Sequence, residues 1–308
     1  MKVLLTGASS FTGFWFARAL AGAGHAVVAA LRGAVAGYDG VRGERVRRLA
    51  EAAAIAENCP FGSASFGALL RGGGFDVLAH HAAATADYRS ADFDIIAALA
   101  DNTRALPALL HDFRQGGGRG VVLTGSVFEP DEGAGTAPMA AFSPYGLSKG
   151  LTGQVFRYWC GKIGVSLGKF VIPNPFGPFE EPRFCHYMIR SWLAGQTPTV
   201  RTPRYVRDNI PVDLLALLYA GFAAQVAAGH GLMKTNPSFY PESQGAFAWR
   251  LARELGPRLR VATPIEFAEQ TEFPEPAVRI NTDIPDIAAL GWSESAAWDA
   301  IAGYYRPS

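Results

Sequence analysis

Tyr145 and Lys149 stand four residues apart in the run Phe142-Ser143-Pro144-Tyr145-Gly146-Leu147-Ser148-Lys149. Just inside a helix start, that spacing puts a phenol and an ammonium on one helix face. An ammonium beside a phenol favours the phenolate, so a group that titrates near about 10 in isolation can act as an acid/base closer to neutral pH. Taken alone the pair reads more readily as two residues of an exposed helix. Its meaning depends on the elements that position it.

Those elements alternate. Lys2 to Thr6 reads as a strand, Thr6-Gly7-Ala8-Ser9-Ser10-Phe11-Thr12-Gly13 as a tight turn, and the residues to about Ala23 as a helix. Gly7 permits the turn and Gly13 lets the helix sit against the sheet. The backbone N–H groups around Ser9, Ser10, Phe11 and Thr12 then face a phosphate. Ser10 stands where the dinucleotide fingerprint has its middle glycine. The second strand, 26–31, ends at Leu31 and Arg32. An acid there would bind a ribose 2′-hydroxyl, whereas Arg32 suits a 2′-phosphate. NADP(H) is therefore the expected dinucleotide, with NAD(H) open and with Arg32 as a solvated loop charge the alternative. A basic stretch leads to an alanine-rich third strand that leaves Asn58 and Cys59 near an adenine ring. The fourth strand runs through His80 and His81 into Ala82-Ala83-Ala84, small residues that admit a ligand close to the backbone. The paired histidines face opposite sides of a strand and no matching Cys/His/Asp cluster follows, so no metal is expected.

Residues 90–113 read as one long amphipathic helix carrying Asn102-Thr103, and residues 120–126 as a fifth strand ending in the hydroxyls of Thr124 and Ser126. Strands alternating with helices imply an α/β, doubly wound parallel sheet whose ligands sit at the carboxyl ends of the strands. Thr124, Ser126 and the start of the Tyr145 helix all lie at such an end.

The bulk properties are permissive. The chain has 308 residues, a formal charge of +1, 49% hydrophobic and 18% charged residues, which gives no argument for nucleic acid or an anionic membrane surface. Cys59, Cys160 and Cys185 are odd in number and far apart, which suits a reducing compartment. Met1 to Leu5 is too short for a signal peptide, and the apolar stretch from Leu214 to Gly229 is shorter than a spanning helix needs. A cytoplasmic protein is expected.

In order and spacing, these pieces resemble the extended short-chain dehydrogenase/reductases of the nucleotide-sugar epimerase/dehydratase branch. The resemblance runs end to end: Thr6-Gly7 to Gly13, Asp76 to Ala84 as D-x-x-x-H-x-A-A, Asn102-Thr103, the Thr124 to Phe128 strand end, and Tyr145 with Lys149. It continues through Pro173-Asn174-Pro175-Phe176-Gly177-Pro178 as N-x-x-G-P, Arg207 to Asp213 as R-D-x-I-x-V-D, and Leu290-Gly291-Trp292 as L-G-W. Departures are Ser10 for glycine, Leu31 for the ribose acid, Val127-Phe128-Glu129 for V-Y-G, Val171-Ile172-Pro173 where an arginine is usual, and Leu214 for the second acid of V-D-D.

The resemblance implies a Rossmann dinucleotide-binding domain over 1–172, rejoined by about 205–235. A smaller C-terminal substrate-binding lobe would take 173–204 and 236–308. It implies Tyr145 as acid/base, Lys149 as the residue that holds the nicotinamide ribose and lowers the Tyr145 pKa, and Thr124 as the catalytic hydroxyl with Ser126 as the fallback. Gly7, Ser9, Ser10, Phe11, Thr12, Gly13, Arg32, Asn58, Cys59, His81, Ala82, Ala83 and Pro173 would line the cofactor. Asn174 and Arg207 would meet a nucleotide diphosphate, to which Arg201 and Arg204 could also contribute. Glu180 and Glu181 could serve as acid/base groups, but read first as exposed loop carboxylates. The expected activity is 4-keto reduction of a nucleotide-diphosphate sugar. A 4-epimerase with tightly held NAD is the close alternative, and a non-catalytic NADP-binding redox sensor the distant one. A homodimer is expected, with the Asn102 and Tyr145 helices at its interface.

Overall fold

The computed structural model describes residues 1–136 and 140–306, and its contacts divide the chain into two units. The first takes Met1–Glu132, Ala140–Ile172 and Ala216–Asn236; the second takes Gly133–Met139, Pro173–Leu215 and Pro237–Ser308. The chain thus returns to the first unit over Ala216–Asn236.

Short apolar runs make the sheet of the first unit. Lys2–Thr6 (β1), Ala26–Ala30 (β2), Ala54–Ala56 (β3), Val77–His80 (β4), Gly120–Ser126 (β5), Ser166–Ile172 (β6) and Leu232–Thr235 (β7) stand in the spatial order β7-β6-β5-β4-β1-β2-β3. Every pairing is parallel. β5 is buried along its whole length, as a central strand covered on both faces must be. The cover consists of α1 (Phe11–Gly22), α2 (Gly40–Leu49), α3 (Ala64–Gly73), α4 (Ile95–Asn102), α5 (Leu106–Gln115), α6 (Pro144–Ile163) and the helix Val212–Ala228. On one face Phe66, Leu70, Leu109, Phe113 and Phe156 pack with Leu4, Leu78, Val121 and Leu123. On the other, Phe16 of α1 stacks on Tyr219 at 3.9 Å and meets Phe170 edge-on. The strand order reverses between β1 and β4, the place where a doubly wound sheet opens a crevice for its ligand.

The single helix expected over residues 90–113 is two helices. α4 ends at Asn102, Ala105 takes the left-handed conformation with φ of 54°, and α5 begins with Pro107 in its first turn. Pro107 lacks an N–H and its ring would collide with the carbonyl one turn earlier, so a continuous helix is broken before it. The break leaves Asn102 buried, with both ends of its amide hydrogen-bonded. Its Oδ1 accepts the Ala84 N–H at 2.8 Å and its Nδ2 donates to Thr152 Oγ1 of α6 at 3.2 Å.

In the second unit, Asn174–Phe176, Val206–Pro211, Tyr240–Ser243, Val278–Ile280 and Ala134–Gly135 form a five-stranded sheet, and Thr199–Val200 pairs with Glu266–Phe267. Helices Phe184–Leu193, Gln244–Leu259 and Glu294–Tyr305 close an aromatic core of Phe176, Trp192, Tyr240, Phe247 and Trp298. The two terminal motifs meet inside this unit, where Trp292 Nε1 donates to Asp213 Oδ2 at 2.8 Å. No helix among the described residues is long and apolar enough to cross a membrane.

The helix break has a signed test. At a left-handed position Ala105→Gly removes a Cβ penalty and should stabilise the protein by about 0.5–1 kcal/mol; inside an unbroken helix the same change would cost about that much. Urea denaturation reads the sign.

Candidate functional site

The carboxyl ends of β1, β4 and β5 gather the residues that could do chemistry. After β1 the chain turns at Gly7, whose φ is +74° and where a Cβ would stand 2.7 Å from the Ala82 nitrogen. At Gly13 a Cβ would stand 2.2 Å from the Gly7 carbonyl oxygen. Only glycine permits this approach of helix, turn and β4 end. Ser10 caps α1: its Oγ accepts the Gly13 N–H at 3.1 Å and donates to the Gly7 carbonyl at 2.8 Å. Phe11 and Thr12 open the helix and are buried. Such a first turn points its N–H groups outward toward an anion, so the cradle fits a dinucleotide diphosphate.

Ser9 is tied to α2. Arg42 reaches its Oγ with Nε at 3.1 Å and Nη2 at 2.8 Å, and the buried Arg45 donates to its carbonyl at 3.0 Å. These arginines sit in the basic stretch seen in the sequence, but nothing in that stretch marks them as partners of the turn. Arg32 lies just beyond β2, exposed, and pairs with Asp101 at 3.3 Å. Asn58 takes φ of 50°, and the Cys59 N–H donates to the Leu31 carbonyl at 2.7 Å, so both lie beside the ends of β2 and β3. Burial pushes the Cys59 thiol up, which keeps it unreactive.

His80 and His81 diverge. His80 turns toward α6, with Phe156 at 5.1 Å and Phe61 at 4.1 Å, and its Nδ1 meets Thr6 Oγ1 at 3.1 Å. His81 turns toward α1, edge-on to Phe16. Its Nε2 meets Ser10 Oγ at 3.0 Å and Thr12 Oγ1 at 2.9 Å, and its Nδ1 meets Thr124 Oγ1 at 3.0 Å. Part of the His81 surface is accessible, yet both nitrogens face protein. Burial first, and the Lys149 charge second, push both imidazoles down to about 3, so both are neutral at working pH. The tautomer of His81 follows. Ser10 has given its proton to Gly7, so it can only accept, and His81 Nε2 carries the hydrogen. Nδ1 is then an acceptor and Thr124 is its donor. Ala82 N–H donates to Thr6 Oγ1 at 3.0 Å, and Ala83 follows it beside the Ala84–Asn102 bond.

On α6, Ser143 caps the helix and Pro144 begins it. The Tyr145 ring is flanked edge-on by Tyr88 at 5.5 Å and Phe93 at 5.9 Å. Lys149 is buried and its Nζ donates to the Thr124 carbonyl at 2.5 Å. Burial pulls the Lys149 pKa down, and the Glu129 charge opposes that pull. Ser126 ends β5, and its Oγ accepts the Phe128 N–H at 3.2 Å. Glu129 and Lys169, which sequence reading left out of the site, form an ion pair of 2.5 Å beside this strand end.

Pro173, Asn174 and Arg207 belong to the second unit. Asn174 pairs in register with Asn209. Arg207 lies over the Tyr205 ring at 4.4 Å and pairs with Glu275 at 2.9 Å, and Arg204 donates to the Gln270 carbonyl at 3.1 Å. Glu180, expected as an exposed loop carboxylate, is buried. Its oxygens accept the Gly177 N–H at 3.2 Å and the His186 N–H at 2.9 Å, and burial pushes its pKa up to about 7.

Comparison with known proteins places this geometry. The family model described as "NAD dependent epimerase/dehydratase family" matches residues 3–229. No curated protein matches in sequence. Among solved structures, the UDP-glucose-4-epimerase of Stenotrophomonas maltophila, with bound NAD and formylated UDP-arabinopyranose, has a TM-score of 0.74 at 17% identity, covering 99% of this chain and 97% of that one. The dTDP-glucose 4,6-dehydratase of Streptomyces venezuelae, with NAD, has a TM-score of 0.71 at 18% identity over 99% and 97%. The UDP-glucose 4-epimerase of Thermus thermophilus, complexed with NAD, has a TM-score of 0.70 at 17% identity over 100% of both chains. At these identities the likeness is one of fold.

The neutral histidines make stability depend on acid. Their folded-state pKa values lie near 3 against 6.5 for a free side chain, so between those limits the unfolded chain binds more protons and stability falls as pH drops. His81→Gln should remove about one proton from the uptake on unfolding, read as a shallower slope of unfolding free energy against pH between about 5 and 6.5. An unchanged slope would mean that His81 is already charged in the fold.

Proposed function

Because the chain belongs to the NAD dependent epimerase/dehydratase family, we propose that it is an NAD(P)-dependent oxidoreductase acting on a nucleotide-activated sugar, with Tyr145 as its acid/base. The observation that carries this reading is the Lys149 ammonium fixed on the Thr124 carbonyl, one helical turn beyond Tyr145. When bound, the dinucleotide accepts or donates the hydride at the sugar carbon. The chain's own residues do the rest. Gly7, Gly13 and the start of α1 cradle the diphosphate. Lys149 favours the Tyr145 phenolate, which takes the proton of a sugar hydroxyl in oxidation and returns it in reduction. Thr124 has its hydroxyl proton directed to His81 and offers lone pairs to a sugar hydroxyl. Ser126, whose contact with Phe128 uses only an oxygen lone pair, is the hydroxyl suited to donate to a carbonyl. Asn174 and Arg207 are assigned to the nucleotide diphosphate.

The reaction we favour is reduction of a 4-keto sugar. It is supported by the basic Arg32 in place of an acid after β2, which suits an exchanging NADPH. A 4-epimerase retaining NAD is the second reading, favoured by the Arg32–Asp101 pair that already engages the guanidinium and by the NAD in the similar epimerase structures. Mass spectrometry of the purified protein separates them: co-purified NAD supports the epimerase, and protein that arrives empty and binds NADPH supports the reductase. If Arg32 does take a 2′-phosphate, Arg32→Ala should weaken NADPH about tenfold or more and leave NADH unchanged.

Tyr145→Phe tests the central assignment. With UDP-glucose as the probe, turnover should fall by about 10²–10⁴-fold while dinucleotide binding, followed by fluorescence, stays as in the parent. Undiminished turnover in the variant would remove Tyr145 from the mechanism.

A further inference from the structure

The strand end after β5 carries a fully buried charge that the mechanism above does not use. Glu129 stands where the resembled family has the glycine of V-Y-G, and it is 0% exposed. Its Oε1 accepts the Ser126 N–H at 2.8 Å, and its Oε2 lies 2.5 Å from Lys169 Nζ. Lys169, on β6, also reaches Glu132 at 2.6 Å, and Glu132 in turn meets Lys234 and Asn236, each at 3.1 Å. Burial works against the charges of Lys169 and Glu132, but their partners outweigh it, so the lysine is held above and the glutamate below its ordinary pKa.

The position of this chain of charges is informative. Lys149 holds the carbonyl of Thr124 while Glu129 holds the N–H of Ser126. The two grips fall on the peptide groups either side of Gly125. A Cβ at Gly125 would stand 2.9 Å from Lys169 Cε and 3.1 Å from Glu129 Oε1, and a Cβ at Gly150, next to Lys149, would stand 4.0 Å from Glu129 Cβ. Gly125 leaves room for the carboxylate, and Gly150 leaves room for the following Pro130, whose Cδ would stand 2.9 Å from a Cβ there, so the chain at Glu129 lies close against the helix that carries Lys149.

We propose that Glu129 is a positioning residue for Lys149: from the end of β5 it supplies the counter-charge to the buried ammonium and fixes the Ser126 peptide, with Lys169 fixing Glu129 in turn. The proposal rests on the reading of Lys149 as partner to Tyr145. The other groups around Lys149 cannot take this part. From β4 and the residue after it come His80 and His81, both neutral; from α4 comes the uncharged Asn102; from β6 comes Lys169, which is cationic and opposes the Lys149 charge. Of the two side-chain charges that act on Lys149 here, Glu129 favours the ammonium and Lys169 opposes it.

The chain has five lysines, Lys2, Lys149, Lys162, Lys169 and Lys234, so each can be titrated by NMR after labelling the lysine Cε atoms with carbon-13, and Lys149→Met assigns the Lys149 signal. Glu129→Gln keeps an acceptor for the Ser126 N–H and leaves Lys169 paired with Glu132. In this variant the Lys149 midpoint should fall by roughly one pH unit. A role confined to packing would lower the melting temperature and leave the midpoint in place, which would overturn the proposal. Should Glu129→Gln fail to fold, the double variant Glu129→Gln with Lys169→Met leaves no lysine facing the lost charge. Its midpoint should also fall, by less, and an unchanged or raised midpoint is again fatal. The titration needs no substrate, so it can fail while Tyr145→Phe still abolishes turnover, or succeed while Tyr145 proves dispensable.

Discussion

The arrangement at the end of β5 depends on one bond, the 2.5 Å contact from Lys149 Nζ to the Thr124 carbonyl. A buried ammonium is expensive unless its surroundings are adjusted to it, at several kcal/mol when unpaired. The adjustments are visible on every side. The imidazoles of His80 and His81 stay neutral, first because they are buried and then because of this charge. A neutral His81 has a single N–H, Ser10 claims it, and the Thr124 hydroxyl must then donate to the remaining nitrogen. Burial and one cation on α6 together set the direction of a hydroxyl on β5 through the histidine that follows β4.

The dinucleotide turn is bound into the same network. Thr6 Oγ1 accepts the N–H groups of His81 at 3.1 Å and Ala82 at 3.0 Å, which fastens the end of β1 to the end of β4. Gly7 and Gly13 allow the backbones to close, and Ser10 and Thr12 meet the His81 ring. The turn that would cradle a diphosphate and the hydroxyl that would face a sugar are thus two ends of one hydrogen-bonded path. That path lies wholly within the first unit.

Features with a local period or a short spacing could be read from the sequence. The seven-residue turn from Gly7 to Gly13, the apolar runs of the parallel sheet and the four-residue step from Tyr145 to Lys149 all belong to this kind, because adjacent residues decide them. The break between α4 and α5 was legible in principle at Pro107 but was masked by the amphipathic pattern running across it. The remainder depends on separations no local pattern carries. Lys169 meets Glu129 from β6, Arg42 meets Ser9 from α2, and the buried Glu180 is satisfied by the N–H groups of Gly177, in a turn, and of His186, in a helix of its own lobe. The tautomer of His81 needed the Ser10–Gly7 bond before it could be assigned.

Departures from the family pattern look like isolated losses when taken singly, but in the fold they come in matched sets. Ser10 replaces a glycine at the diphosphate turn, and its oxygen is met by the imidazole of His81, which also reaches Thr12 and Thr124. Glu129 replaces a glycine after β5, and its carboxylate occupies the space that a side chain at Gly125 would need, with Lys169 closing the pair. A polar group placed without its partner in so buried a region would be strongly destabilising; placed together, the groups satisfy each other. Each set also ends on a residue of the proposed reaction, His81 on the Thr124 hydroxyl and Glu129 on the Ser126 N–H. Side chains introduced near a reacting centre under that constraint alter the protonation and direction of its groups while leaving the backbone that presents them unchanged.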